Sequence, residues 1–431
     1  GVWLKLLAHR RLDAQPGRQR HSFAPTGEPP LRLCSCQMLR VCQRSTPVLR
    51  ACRATHGTVL HGWCHRSSSR VGPVPLPRTV GSSLTPRRSP AYKSAQVPRH
   101  LSAAVPGEIK APELPPLADY TLRGVGQVVF CNSPVAGAGI AAGLLWADPW
   151  LGTMALLGST SATAAARFFD VDSDQVSNGL TGYNGCLVGC GLSVFMGFPA
   201  WSDPVAVATV AMGAASAGLS VWWRAALPAV PQYTLPFNIV TLGTLVALAS
   251  RPLAEAAAGT SATVMASFFP LDWASAALCG VSQIFVACDP VCGGLVLAGM
   301  AAYSPGAAGA TLFGSAVGAL MGAAAGADAA AVSAGLWGFN PALSALMVSI
   351  FFVPNLCTAA LASAAAVSSV LLTNAMGGVL ASTLEIPCCT VPFCAAALGV
   401  HMLRKSLPGV VAAASPHSPE VNLKAFRSLL R

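Results

Sequence analysis

Charge is what this chain has least of. Asp, Glu, Lys and Arg make up 10% of its 431 residues, against roughly a quarter in an ordinary soluble domain. With 53% hydrophobic residues and a mean hydropathy of +0.56, it reads as an all-α polytopic membrane protein. Catalytic groups are scarce as well. Of eight His, six lie in the first 107 residues, and His401 and His417 fall at or past the end of the last apolar segment. No Ser or Cys in the apolar region has a nearby His to activate it, and no Cys-x-x-Cys pair recurs at zinc spacing. An enzyme, a cofactor and a resident metal are therefore not expected.

Acid is missing from residues 1–107, which hold 17 of the 27 Lys and Arg but only Asp13 and Glu28. The net charge of +11 belongs to this leader, because the remainder carries 10 basic and 14 acidic residues (27 − 17; 16 − 2). No apolar run in the leader approaches the about 20 residues that span a bilayer, and disorder is expected there. It reads either as an organelle transit sequence, being Arg- and Ser-rich, or as a dispensable extension. Aromatic residues are not interleaved with its basic ones as base stacking requires, so nucleic acid is not expected as a partner. Its Cys and His residues are not read as a metal site.

What the chain does have is a duplication. Gly124-Val125-x-Gln127, Pro134-Val135-x-Gly137, Gly179-Leu180, Asn184, Leu187 and Thr234-x-Pro236-Phe237 return as Gly280-Val281-x-Gln283, Pro290-Val291-x-Gly293, Gly335-Leu336, Asn340, Leu343 and Thr390-x-Pro392-Phe393. One offset relates every pair (283 − 127 = 156; 390 − 234 = 156). The expected organisation is a leader (1–107), a first membrane repeat (108–250), a connection (251–272), a second repeat (273–405) and a C-terminal tail (406–431). Residues 108–123 are amphipathic and are expected to lie on the membrane surface. Each repeat is expected to supply about five transmembrane helices plus a short re-entrant half-helix, at 127–131 and 282–287. Short, Pro- and Gly-broken segments at matching places in two halves point to a transport site where the repeats meet. Asn132-Ser133-Pro134 and Asp289-Pro290 each place a capping side chain before a proline, which starts a helix, here in mid-membrane.

The repeated polar residues are uncharged: Gln127 with Gln283, Thr234 with Thr390, Asn184 with Asn340. Singly, such groups often hydrogen-bond helices together. As symmetric pairs beside Phe, Tyr or Pro they suit a narrow pore for a small neutral polar solute. Phe130, Tyr183, Leu187, Phe339 and Leu343 are expected to sandwich the faces of a planar amide while Thr hydroxyls and backbone carbonyls accept its edge hydrogens. An ion pathway would show conspicuous intramembrane ionisable residues instead. Asp148, Asp172, Asp272 and Asp328 fall in expected loops as a solvated face, while Asp289 and Glu385 are expected to cap helices.

Several motifs resemble those of the urea transporter family. Residues 127–137 (Gln-Val-Val-Phe-Cys-Asn-Ser-Pro-Val-Ala-Gly), Gly179-Leu-Thr-Gly-Tyr183-Asn184 and Tyr233-Thr-Leu-Pro-Phe-Asn238 are similar to its first-half signatures, and Gly280-Val-Ser-Gln283 and Gly335-Leu-Trp-Gly-Phe339-Asn340 to its second-half ones. The resemblance covers about residues 108–405. It implies channel-like passage of urea and close analogues down their gradient, two inverted halves enclosing one central pore, and a homotrimer in the lipid bilayer. It also implies that Gln127 and Gln283 line the two ends of the selectivity region, that Phe130, Tyr183, Leu187, Val286, Phe339 and Leu343 form the slot walls, and that Thr234 and Thr390 are the central hydroxyls. Ser133 departs from the Asn common before the proline, and Tyr183 puts a hydroxyl at a slot wall. The alternative is a channel for another small neutral solute: ammonia, water, glycerol or a short amide. The expected host is the plasma membrane, or an organelle membrane if the leader is a transit sequence.

Overall fold

The structure is a computed structural model that describes residues 113–249 and 272–430. The leader, and all of the connection but Asp272, lie outside the described residues. The first repeat forms helices α1 (Pro116–Gln127), α2 (Pro134–Ala147), α3 (Pro149–Phe168), α4 (Ser173–Ser177), α5 (Tyr183–Phe195), α6 (Asp203–Ala226) and α7 (Leu235–Ala249). The second forms α8 (Trp273–Ser282, extended by a 3-10 turn, Gln283–Phe285), α9 (Pro290–Tyr303), α10 (Pro305–Ala324), α11 (Ala329–Ser333), α12 (Phe339–Phe351), α13 (Leu356–Thr383) and α14 (Val391–Leu403). A last helix, α15 (Pro419–Leu429), lies in the tail. The starts of α2, α3, α4, α5 and α7 recur 156 residues later at α9, α10, α11, α12 and α14 (290 − 134 = 156; 391 − 235 = 156).

Among the described residues α6, α10 and α13 are long and apolar enough to cross a bilayer alone, and α8 with α9 makes a fourth span if its 73° bend is counted within one. α2, α5, α7 and α12 are shorter apolar helices. Large apolar side chains such as Phe168, Leu356, Trp146 and Trp222 stand exposed on the outside, as a surface in hydrocarbon requires. One apolar core runs through both repeats and joins Val125, Ile140 and Leu187 to Val281, Val296 and Leu343.

The local reasons for these elements are legible. Ser133 Oγ accepts from Ala136 N–H at 3.4 Å and Asp289 Oδ1 from Cys292 N–H at 2.6 Å, each followed by a proline that has no N–H to leave unsatisfied. Asp148, Asp172, Asp272 and Asp328 each accept from a backbone N–H at a helix start, so the loop acids cap helices instead of forming a merely solvated face. Glu385 caps nothing: it is exposed at a φ of +55°, and Thr390 occupies the N-cap position of α14.

The structure corrects the expected surface segment. Residues 116–127 form α1, and its Thr121, Gly124, Val125 and Gly126 are buried against the repeat. Charge made this stretch look superficial, but Arg123 Nε meets Asp119 Oδ2 at 2.7 Å and its Nη1 donates to Asn132 Oδ1 at 3.0 Å. The half-length pieces expected at 127–131 and 282–287 are therefore the ends of half-helices, not their bodies. α1 and α2 pack so closely that a Cβ on Gly137 would strike the carbonyl oxygen of Leu122, and α8 and α9 so closely that one on Gly293 would strike that of Leu278.

Where the repeats meet, α2 lies against α9. A Cβ on Gly299 would sit 2.9 Å from Ala136 O, and one on Gly143 3.3 Å from Cys292 O. Cys292 is the copy of Ala136 and Gly299 the copy of Gly143 (136 + 156; 143 + 156). The two contacts are therefore copies of one another.

Candidate functional site

Half-helix α1 ends in a turn that recurs after α8. Cys131 N–H donates to Gly126 O at 3.0 Å and Phe130 N–H to Gln127 O at 3.1 Å, while Ala287 N–H donates to Ser282 O at 3.2 Å and Val286 N–H to Gln283 O at 3.0 Å. This paired pattern closes a helix with a left-handed residue, normally glycine. Here Phe130 (φ 58°) and Val286 (φ 63°) occupy it, at a cost of about 1–3 kcal/mol each. A second left-handed pair, Tyr233 (φ 43°) and Cys389 (φ 45°), immediately precedes Thr234 and Thr390. Glycine-free left-handed turns carry no obvious sequence signal, so this strain was not legible beforehand.

The polar pairs then divide. Gln127 Nε2 donates to Asn178 O and Gln283 Nε2 to Ala334 O, both at 2.9 Å, so each carboxamide turns its carbonyl away from that anchor. The Oε1 of Gln283 is buried without a partner. Asn184 Oδ1 accepts from Phe237 N–H and Asn340 Oδ1 from Phe393 N–H, both at 3.2 Å. These asparagines satisfy the first turns of α7 and α14 and belong to the scaffold.

The two threonines meet. Thr234 Oγ1 and Thr390 Oγ1 lie 2.7 Å apart, both buried. Asn238 surrounds the pair: its Nδ2 donates to Thr234 O at 2.9 Å and to Thr390 Oγ1 at 3.0 Å, and its Oδ1 accepts from Thr390 N–H at 3.1 Å. A backbone N–H can only donate and a carbonyl only accept, so the amide orientation is set. Thr234 Oγ1 lies 3.2 Å from Cys394 Sγ, and Cys394 is the copy of Asn238 (238 + 156). The order that leaves no hydroxyl proton unpaired runs from Asn238 to Thr390, to Thr234, to Cys394. Because α7 starts at Leu235 and α14 at Val391, two helix N-termini converge on this point.

A cavity of about 220 Å³ leads to it, lined by Gln127, Val128, Phe130, Leu180, Tyr183, Pro231, Gln232, Tyr233, Thr234, Phe351 and Phe393. Its aromatic walls pack edge to face: Phe130 on Phe351 at 5.9 Å, Tyr233 on Phe393 at 5.6 Å. Of the expected pore residues, Gln127, Phe130, Tyr183 and Thr234 line this cavity. Leu187, Gln283, Phe339, Leu343 and Thr390 are buried and do not line it, and Val286 is half-buried and does not line it either. Of the threonine pair, Thr234 lines the cavity. Asn238, Gln232 and Phe351 were not among the residues expected from the sequence. The one hint for Asn238 was that the Thr-x-Pro-Phe motif continues with Asn in one copy and Cys in the other.

Comparison with known proteins agrees on one group. Residues 118–405 match the family model described as "Urea transporter". Urea transporter 1 of Ovis aries is 30% identical over 314 residues, which cover 69% of this chain and 80% of that protein. Urea transporter 1 of Mus musculus is 28% identical over 307 residues, covering 68% of this chain and 78% of its own.

Proposed function

The chain belongs to the urea transporter family, and from that premise we propose how its own residues conduct the solute. It is an integral membrane protein that transports urea, not an enzyme. The observation that carries the reading is the hydrogen-bonded pair Thr234 and Thr390, uncharged, at the end of an aromatic-walled cavity.

Urea enters between Phe130, Tyr233 and Phe351, whose apolar faces suit a flat molecule and give water little to hold. Its N–H edges need acceptors and its carbonyl a donor. At the centre Asn238 already donates to Thr390, so Thr390 turns its proton outward to the urea carbonyl and Thr234 supplies lone pairs to an N–H. The solute replaces the Thr–Thr hydrogen bond with two of its own, an exchange of near-equal bonds that permits passage without trapping. The converging N-termini of α7 and α14 place partial positive charge at the constriction, which favours the carbonyl oxygen and opposes cations. On the far side the unpaired carbonyl of Gln283 receives the departing N–H groups, with Val286, Phe339, Leu187 and Leu343 as further walls.

The crosswise contact between α2 and α9 supports two halves, 108–250 and 273–405, inserted in opposite directions. A two-fold axis along these helices would set Ala136 against Cys292; the observed pairing of Ala136 with Gly299 and Gly143 with Cys292 is what helices passing in opposite directions produce. The assembly is a trimer with one pore per chain, in the plasma membrane unless the leader redirects it, which tagged chains with and without residues 1–107 would reveal by imaging. Proteoliposomes test the central reading: fast urea flux, slower thiourea flux, exclusion of glycerol, and no dependence on proton or sodium gradients are expected. Glycerol passage with urea excluded would overturn it.

A further inference from the structure

The two repeats are unlike at one place on the solute's path. Tyr183 has Phe339 as its copy and Gln232 has Cys388 (183 + 156; 232 + 156), so a polar pair stands in the first half where the second has none. Tyr183 Oη donates to Tyr233 O at 2.7 Å, and Gln232 Nε2 donates to Tyr183 Oη at 2.8 Å. The direction is forced. Tyr233 O can only accept, so the phenol proton is spent on it, and Gln232 must present its NH2 to the phenol oxygen. That turns the Gln232 carbonyl the other way, where Oε1 is buried without a partner. Gln232 lines the same 220 Å³ cavity as Gln127 and Thr234. The hydroxyl of Tyr183 is therefore not offered to the solute; it fixes the glutamine that is.

We propose that Gln232 is a specificity-determining residue of this cavity, an acceptor that takes an N–H of an amide or urea before the solute reaches the threonine pair. A buried carbonyl without a donor is costly when the cavity is empty, and an entering N–H relieves that cost. Solutes carrying hydrogen-bond donors are thereby favoured over donor-free molecules of equal size. The inference rests on the proposed urea pathway and assigns the selectivity of its first-half end to Gln232 held by Tyr183.

The test uses the full chain in proteoliposomes. Gln232→Met keeps the volume and removes the carbonyl; half-saturating urea is expected to rise about five- to tenfold, the worth of one hydrogen bond, with maximal flux nearly unchanged. Inhibition of urea flux by thiourea, which keeps the N–H groups, should weaken by the same factor. Tyr183→Phe leaves the carboxamide in place but unfixed, so a smaller rise of about twofold is expected. Unchanged half-saturation in Gln232→Met overturns the inference, and so does an equal rise in both variants, which would mean that Gln232 only props Tyr183. Absence of urea flux in the unmodified chain would instead overturn the pathway itself.

Discussion

The two repeats share a scaffold and differ around the cavity and threonine pair that lie between them. Anchors, breaks and strained turns occur twice: Gln127 to Asn178 and Gln283 to Ala334, Asn184 to Phe237 and Asn340 to Phe393, Phe130 and Val286. Around the cavity and the threonine pair the copies diverge, with Asn238 against Cys394 and Gln232 against Cys388. The divergence teaches that the duplication builds two copies of a half-helix hairpin, while substitutions on one side give the hydroxyl pair a direction and leave one buried glutamine carbonyl unpartnered.

A further difference lies outside the pore. The tail clasps the second repeat: Val353 N–H donates to Val411 O at 2.8 Å, Ala413 N–H to Phe351 O at 2.9 Å, and Asn422 Nδ2 to Ile350 O at 2.7 Å. These bonds hold the end of α12, whose Phe351 walls the first-half cavity. Glu420 completes the clasp by accepting from Ser304 Oγ and Gly306 N–H, both at 2.7 Å.

The comparison can be broken at its centre. Asn238→Leu strands Thr390 N–H and frees the Thr390 hydroxyl from its donor, while Thr234 O keeps the backbone N–H of residue 238; with a stranded group worth about 1–3 kcal/mol, urea flux in proteoliposomes should fall by about tenfold and thermal unfolding should shift down. The exchange Asn238→Cys with Cys394→Asn should recover flux, because it reverses the hydrogen-bond run without removing it. Failure of the exchange where each single variant is folded would discard the directed run.

The shared scaffold can be sharpened next. Gly137→Ala and Gly293→Ala should destabilise alike, by about 1–3 kcal/mol each, read as thermal unfolding in detergent; a tolerant Gly293 would show that one hairpin is looser. At the hydroxyls, Thr390→Val should slow flux more than Thr234→Val, about tenfold against a few-fold, since of the two hydroxyls that of Thr390 accepts from Asn238 Nδ2. Equal effects would show that the pair acts symmetrically.

The smallest effect concerns the clasp and pH. Burial pushes the Glu420 carboxyl up, but the Ser304 hydroxyl, its own backbone N–H and the N–H of Gly306 outweigh this and hold it below the usual carboxylate range. A folded-state pKa below the unfolded one contributes stability that is present above the unfolded value and lost as pH falls through the folded one. Limited proteolysis of the tail should therefore accelerate only in acid below the ordinary carboxylate pKa, about 4.3. Glu420→Gln should release the tail at neutral pH and flatten that dependence.

Much of the scaffold was legible. The 156-residue offset, the Ser-Pro and Asp-Pro starts and the absence of charge announce two copies of a broken-helix hairpin, because capping chemistry and hydropathy are local properties. α1 was misread since Asp119 and Arg123 look superficial until they are seen to pair with each other and with Asn132. Asn184 and Asn340 looked like pore residues because repetition marks scaffold and site equally.

By itself the sequence determined that this is a charge-poor, twice-written membrane protein whose Thr234 and Thr390 are equivalent. Only the tertiary structure decided that these two meet each other, that Asn238 orients them, and that Tyr183 spends its hydroxyl on Tyr233 to aim Gln232. Those are contacts between residues 49 to 156 positions apart. No local rule of capping, periodicity or propensity reaches that far, because such contacts exist only once the two halves have closed on one another.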